Sequence, residues 1–184
     1  MMVLLVENCR DYILTVDNFY KDPDHIRNLA VNNSKIQYKT PTLKDEWRGF
    51  RYFISNGEDE PPIQSIKKKV SNYYQLNEDN YSIFSCLHYT IKKTKDDCYP
   101  SFEEYKYHRD RNFTYAGLIY LHPDPPKNSG TTLLDPATKE KILIENVYNR
   151  LICYPSNILH GPTDFFGYDL QTGRLTLTFF LKKL

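Results

Sequence analysis

Arg174-Leu175-Thr176-Leu177-Thr178-Phe179 alternates basic or hydroxyl side chains with large apolar ones. This is the period of a β-strand, so Arg174, Thr176 and Thr178 share one face while Leu175, Leu177 and Phe179 share the other. If the leucine face packs against other elements of the chain, the Arg174 face points into the protein. An unpaired guanidinium there costs several kcal/mol. An arginine so placed needs an anion, and its planar fork suits a carboxylate. A small dicarboxylic molecule would satisfy it, with Thr176 donating a further hydrogen bond. The competing explanation is an exposed edge strand that leaves Arg174 in water.

The same alternation extends back to Tyr81, in short β-branched and aromatic runs separated by Gly, Pro, Asn and Asp. It predicts strands over Tyr81–Lys92, Glu104–Asp110, Thr114–His122, Thr131–Leu134, Lys141–Ile144, Arg150–Tyr154 and Arg174–Leu181. Ahead of them the signals are mostly helical. Tyr12–Val16 reads as a strand, and Asp22-Pro23 caps a helix with Ile26, Leu29 and Ala30 on one face. Pro61-Pro62 opens a second helix, whose Ile63, Ile66, Val70 and Tyr73 or Tyr74 recur at helical spacing. Its Lys67, Lys68 and Lys69 belong to a solvated side. The expected fold class is therefore α+β, mainly β, a double-sheet jelly roll or barrel with N-terminal helices packed on one sheet. One domain is expected over 1–184, with 1–80 as helical support and 81–184 as the β core.

Composition narrows the function. Twenty-four Lys and Arg against twenty-three Asp and Glu give a net charge of +1, which lacks the basic footprint of a protein that wraps duplex nucleic acid or an anionic membrane. The apolar run Met1–Val6 is far shorter than the roughly 20 residues of a membrane span. Cys9, Cys86, Cys98 and Cys153 have no CxxC spacing, so they are expected as reduced thiols of a cytoplasmic protein. Sixteen tyrosines and a Lys-rich balance suit AT-rich coding, as in a virus, a phage or an AT-rich bacterium, and a viral protein would act in the host cytoplasm.

His108-Arg109-Asp110 ends the run Tyr105-Lys106-Tyr107, and on a strand the i, i+2 spacing puts His108 and Asp110 on one face. His160 closes Tyr154-Pro155-Ser156-Asn157-Ile158-Leu159 after an apolar strand. Two imidazoles and one carboxylate can occupy one face of an octahedral iron and leave three positions open. His25, His88 and His122 lack a matching partner and are not assigned to a metal.

Taken in order, these residues resemble the Fe(II)- and 2-oxoglutarate-dependent oxygenases, especially their prolyl-hydroxylase-like branch. The resemblance covers about 99–181, with an echo in Val16-Asp17-Asn18-Phe19-Tyr20 and the helix after it. His108-x-Asp110 is similar to the first two iron ligands, and Cys153-Tyr154-Pro155-Ser156 to His160 resembles the segment carrying the distal histidine. Leu118-Ile119-Tyr120-Leu121 resembles a strand ending in a YLN-like sequence, with His122 in place of Asn. Ser129-Gly130-Thr131-Thr132 stands where the family has a Gly-Gly-x-Thr turn. Arg174-x-Thr176, fourteen residues beyond His160, resembles the pair that binds the far carboxylate of 2-oxoglutarate. Tyr120 and Tyr105 are similar to tyrosines of that pocket.

The resemblance implies a double-stranded β-helix and a dioxygenase that uses Fe(II), O2 and 2-oxoglutarate as co-substrate. It would couple oxidative decarboxylation to C–H oxidation, most simply hydroxylation, of a small-molecule or peptide substrate. The retained Asp110 argues against halogenation. Trp47-Arg48-Gly49-Phe50-Arg51 is the expected substrate-facing cluster, and Trp47, Arg48 and Arg51 suit a carboxylate, a phosphate or a planar ring. The alternative is a non-enzymatic jelly roll, a binding or viral structural protein with a vestigial or structural metal site.

Overall fold

The computed structural model describes residues 9–39, 49–54, 60–92 and 107–184. A short 3-10 turn at Cys9–Tyr12 leads into β1 (Leu14–Val16), α1 (Pro23–Asn32), β2 (Phe50–Phe53) and α2 (Pro61–Tyr74). The remaining strands are β3 (Tyr81–Thr90), β4 (Tyr115–Tyr120), β5 (Thr131–Leu134), β6 (Lys141–Ile144), β7 (Leu151–Pro155), β8 (His160–Pro162) and β9 (Arg174–Lys183). They form a six-stranded sheet in the order β1-β7-β4-β9-β3-β2 and a three-stranded sheet in the order β6-β5-β8. Every pairing in them is antiparallel. An isolated bridge between His108 and His160 extends the smaller sheet past β8. The fold is mainly β, with two α-helices.

Both helices start as their sequences require. The Asp22 side chain accepts from the His25 N–H at 3.0 Å, and Pro23 occupies the first turn of α1, where its missing N–H costs nothing. In α2, Pro61 and Pro62 do the same, and Ile63, Ile66 and Val70 are buried. The expected apolar face of α1 is narrower than the sequence suggests, since Ile26 and Ala30 are buried but Leu29 is 44% exposed. In α2 the inward aromatic is Tyr74, whose hydroxyl donates to the carbonyls of Tyr12 and Cys153 at 2.7 and 3.0 Å. Tyr73 is exposed, as are Lys68 and Lys69.

Strand β9 separates two apolar clusters. Leu175, Leu177, Phe179 and Leu181 share one cluster with Ile26 and Ala30 of α1 and with Ile63, Ile66 and Val70 of α2. Phe180, on the opposite side of the strand, packs against Ala116, Leu118, Tyr120, Leu133, Ile144, Ile152, Tyr154 and Ile158. That second cluster draws on both sheets, so the face bearing Arg174, Thr176, Thr178 and Phe180 is the inner one. Each large apolar side chain so buried contributes roughly 1.5–3 kcal/mol.

The structure departs from the sequence reading in several places. The first strand begins only at Leu14, because Cys9–Tyr12 forms a 3-10 turn. Of the expected strand Glu104–Asp110, residues 104–106 lie outside the described residues, and 107–110 forms no named strand, being joined to the smaller sheet by the isolated bridge of His108 with His160. Strands β2 and β8 were not expected. Among the described cysteines Cys86 and Cys153 are free and buried, and burial pushes the Cys86 thiol up to about 11. Cys98 and the Cys9 side chain lie outside the described residues. Among the described residues no helix is long and apolar enough to cross a membrane.

Gly117 of β4 allows the ring of Phe179 to lie across it. A Cβ added there would stand 2.3 Å from the Ile152 carbonyl oxygen and 2.4 Å from Phe179 Cζ. Since the carbonyl belongs to the paired strand β7 and cannot move away alone, Gly117→Ala should destabilise the protein by about 1–3 kcal/mol or more. Urea unfolding checks this, and a midpoint equal to wild type would show that the sheet yields at this point.

Candidate metal centre

Three ligand-type side chains meet at one end of the space between the sheets, and main-chain hydrogen bonds hold them there. The His108 N–H donates to the His160 carbonyl at 2.9 Å, and the His160 N–H returns the bond to His108 at 3.0 Å. The Asp110 N–H donates to the Ser156 carbonyl at 3.0 Å, and the Phe113 N–H closes a turn on the Asp110 carbonyl at 3.1 Å. His160 Nδ1 lies 2.9 Å from the Ile158 carbonyl, which can only accept, so Nδ1 carries the proton and Nε2 faces Asp110 Oδ2 at 3.2 Å. His108 Nε2 is 3.8 Å from Asp110 Oδ1. One ligand atom from each residue lies within 4.8 Å of the others.

The group is graded from open to closed: the side chains of His108, Asp110 and His160 are 50%, 17% and 7% exposed. Desolvation, and then the neighbouring His160, push His108 down to about 4, with Asp110 pulling the other way and Arg51 adding to the depression. Burial alone would raise Asp110, but the hydrogen bond from His160 and the charges of His160, His108 and Arg51 hold it below the ordinary carboxylate value. Two imidazoles beside a carboxylate are the donor set that a divalent iron takes on one face.

A second constellation lies on the inner face. Arg174 is only 4% exposed. Its Nε donates to the Ser129 carbonyl at 3.4 Å, and Nη2 donates to the Gly130 carbonyl at 3.5 Å and to Thr131 Oγ1 at 3.1 Å. Its guanidinium carbon stands 5.4 Å from the centre of the Tyr120 ring. Among the described residues no carboxylate pairs with it. The fully buried Tyr120 donates its hydroxyl to Thr131 Oγ1 at 2.7 Å. Thr90, opposite Arg174 in the β3–β9 register, keeps a buried hydroxyl without a partner, as does the side-chain amide of Asn146. A buried cation among neutral oxygens and unpartnered polar atoms fits a small dianion. Between the two constellations lies Tyr154, whose ring centre is 4.8 Å from that of His160. Burial and then Asp110 raise its hydroxyl far above the usual phenol value, while Arg174 acts in the opposite direction.

The other expected residues are dispersed. Thr176 faces inward, but its hydroxyl donates to the His88 carbonyl at 3.2 Å and lies 3.2 Å from Thr178 Oγ1. The hydroxyl that touches both Arg174 and Tyr120 belongs to Thr131, which the sequence reading placed at a turn and at the start of a strand without giving its side chain a role. Alternation with the buried Leu133 was the available signal for Thr131. Tyr105, Trp47 and Arg48 lie outside the described residues, while Arg51 lies on β2 opposite His88. His25 is exposed, and His122 stands edge-on to Phe166 with ring centres 5.0 Å apart, away from the triad.

No protein-family model matches the sequence, and no curated protein matches it. Solved structures do. A prolyl-4-hydroxylase from Pseudomonas putida aligns with a TM-score of 0.65 at 16% identity, over 94% of this chain and 93% of that one. A prolyl hydroxylase from Trichoplax adhaerens, in complex with a peptide fragment of the hypoxia inducible factor oxygen degradation domain, aligns at 0.54 and 14% identity, over 94% and 84%. The epimerase SnoN, in complex with Fe3+, alpha ketoglutarate and nogalamycin RO, aligns at 0.63 and 10% identity, over 95% and 80%. At these identities the likeness is one of fold.

The depressed His108 value has a direct consequence for the metal-free protein. An unfolded histidine takes up a proton near pH 6.5, whereas folded His108 resists until about 4. The unfolded state then binds more protons, so stability should fall as pH drops through that window. His108→Asn should flatten the decline in melting temperature between pH 6.5 and 4, and an unchanged slope would assign the acid sensitivity to other groups.

Proposed function

We propose that this chain is an Fe(II)- and 2-oxoglutarate-dependent dioxygenase, a hydroxylase built as a single double-stranded β-helix domain whose N-terminal helices pack on the larger sheet. The observation that carries the reading is the conjunction of two sites within one hollow. A His-Asp-His group sits at one end, and a buried arginine without a carboxylate partner among the described residues stands on the inner face. A structural metal site needs the first and gains nothing from the second. The shared fold of the oxygenases above adds to this reading, and two of them bind a peptide and a small molecule respectively.

His108, Asp110 and His160 would hold Fe(II) on one face and leave the opposite positions open. When bound, iron and 2-oxoglutarate supply the oxidising chemistry, in which O2 is reduced, the 2-oxo acid becomes succinate and CO2, and a substrate C–H becomes C–OH. The rest of the work falls to this chain. Arg174 receives the far carboxylate of 2-oxoglutarate, with the hydroxyls of Thr131 and Tyr120 reorienting toward the same group. Asp110 stays ionised across the neutral range, and the Ile158 carbonyl fixes the His160 tautomer. Ile152, Ile158 and Leu118 keep water from the wall between the two sites.

Succinate release from 2-oxoglutarate should require added Fe(II) and stop in Asp110→Ala. Arg174→Ala should weaken 2-oxoglutarate binding about 10- to 100-fold, as expected where a charge-assisted hydrogen-bonded anion loses its cation. Calorimetric titration of the metal-loaded protein measures it. Full affinity in a folded Arg174→Ala variant would leave the binding-protein alternative standing.

A further inference from the structure

The register of the larger sheet sets a line of side chains across its inner face. Lys39 bridges Arg51, Arg51 pairs with His88, His88 with Thr176, and Thr176 with Tyr120. Directly opposed residues of antiparallel strands project to the same side. That side is the inner one, because Tyr120 lies in the cluster between the sheets, while the intervening Tyr38, Tyr52, Leu87, Tyr89, Leu175 and Leu177 pack toward the helices. Three nitrogen-bearing side chains thus lead inward from the sheet edge to the hydroxyls beside Arg174.

Three further observations converge on this line. The Arg51 charge depresses both His108 and Asp110, so the guanidinium lies within electrostatic reach of the metal group. Gly49, at φ +96°, presses the chain against the line: a Cβ there would lie 2.7 Å from His88 Nε2 and 2.5 Å from Thr90 Cγ2. Lys39 Nζ stands 5.8 Å from the ring centre of Phe53, which is 49% exposed at the sheet edge. Arg51 is two strands from Thr176, roughly 10 Å, the length of a molecule of amino-acid size.

We propose that the primary substrate carries an oxyanion, a carboxylate or a phosphate, seated by Arg51 and Lys39 beside His88, which directs the rest of the molecule toward the metal. This rests on the oxygenase reading, so the test separates the two. Protein loaded with Mn(II) and saturating 2-oxoglutarate, so that the metal and Arg174 are already engaged, is titrated calorimetrically with N-acetylalanine, with its neutral amide N-acetylalaninamide and with inorganic phosphate. An oxyanion should bind at least tenfold more tightly than the amide, and whichever of the acid and phosphate binds better names the group. Arg51→Gln combined with Lys39→Gln should abolish that preference in a variant whose circular dichroism matches wild type, and Arg51→Lys should restore most of it. Equal binding of acid, phosphate and amide to wild type overturns the inference, as does a preference that survives the double substitution. Failure of wild type to bind 2-oxoglutarate overturns the oxygenase reading instead.

Discussion

Arg174 opens strand β9 with its guanidinium out of water and surrounded by neutral oxygens, and the arrangement of the β-sheets follows from that burial. To enclose it, the smaller sheet must bring Ser129, Gly130 and Thr131 over the inner face, and β4 must place Tyr120 beside it. To hold β9 in place, the opposite face needs an apolar cover, which α1 and α2 provide through Ile26, Ala30, Ile63, Ile66 and Val70. The uncharged surroundings leave the cation only partly compensated, since desolvation lowers its own affinity for a proton. A ligand carboxylate would therefore meet a cation already stripped of water, which strengthens the contact relative to the same pair at a surface.

How far the sequence could be read depended on whether a feature is local. The period of β9, the Asp22-Pro23 cap and the Ile63, Ile66, Val70 spacing each rest on neighbours in the chain, and each element stands within a few residues of its expected place. The pairing of His108 with His160 and the contact of Thr131 with Arg174 join residues 52 and 43 positions apart, and no single-strand pattern encodes them. Strand β2 was hidden for another reason. Phe50-Arg51-Tyr52-Phe53 has aromatics at three of its four positions, so the alternation that marks a strand is weak, and only the pairing with β3 shows which side Arg51 takes. Leu29 erred in the opposite direction, since helical spacing put it on the apolar face and nothing local shows that the core stops one residue short.

The charges of the hollow follow a simple order. Asp110 is the acid of the metal group, the His108 and His160 imidazoles and Arg51 act on it, and Arg174 lies beyond Tyr154. Burial keeps both the histidine and the tyrosine that face it neutral, since His108 is depressed and Tyr154 is raised. Among the described residues these groups put positive charge beside the inner face, although the whole chain carries a net charge of only +1.

The reciprocal main-chain bonds between His108 and His160 bear on how this centre can change over time. Because peptide groups fix the spacing of the two residues, the scaffold of the site is independent of what their side chains are. Binding a metal then need not order the backbone, so most of the intrinsic affinity of the ligands remains available. Substitution at either position alters the chemistry without dismantling the platform. A lineage carrying this bridge can change the groups it presents by single codon changes while the surrounding sheets stay intact.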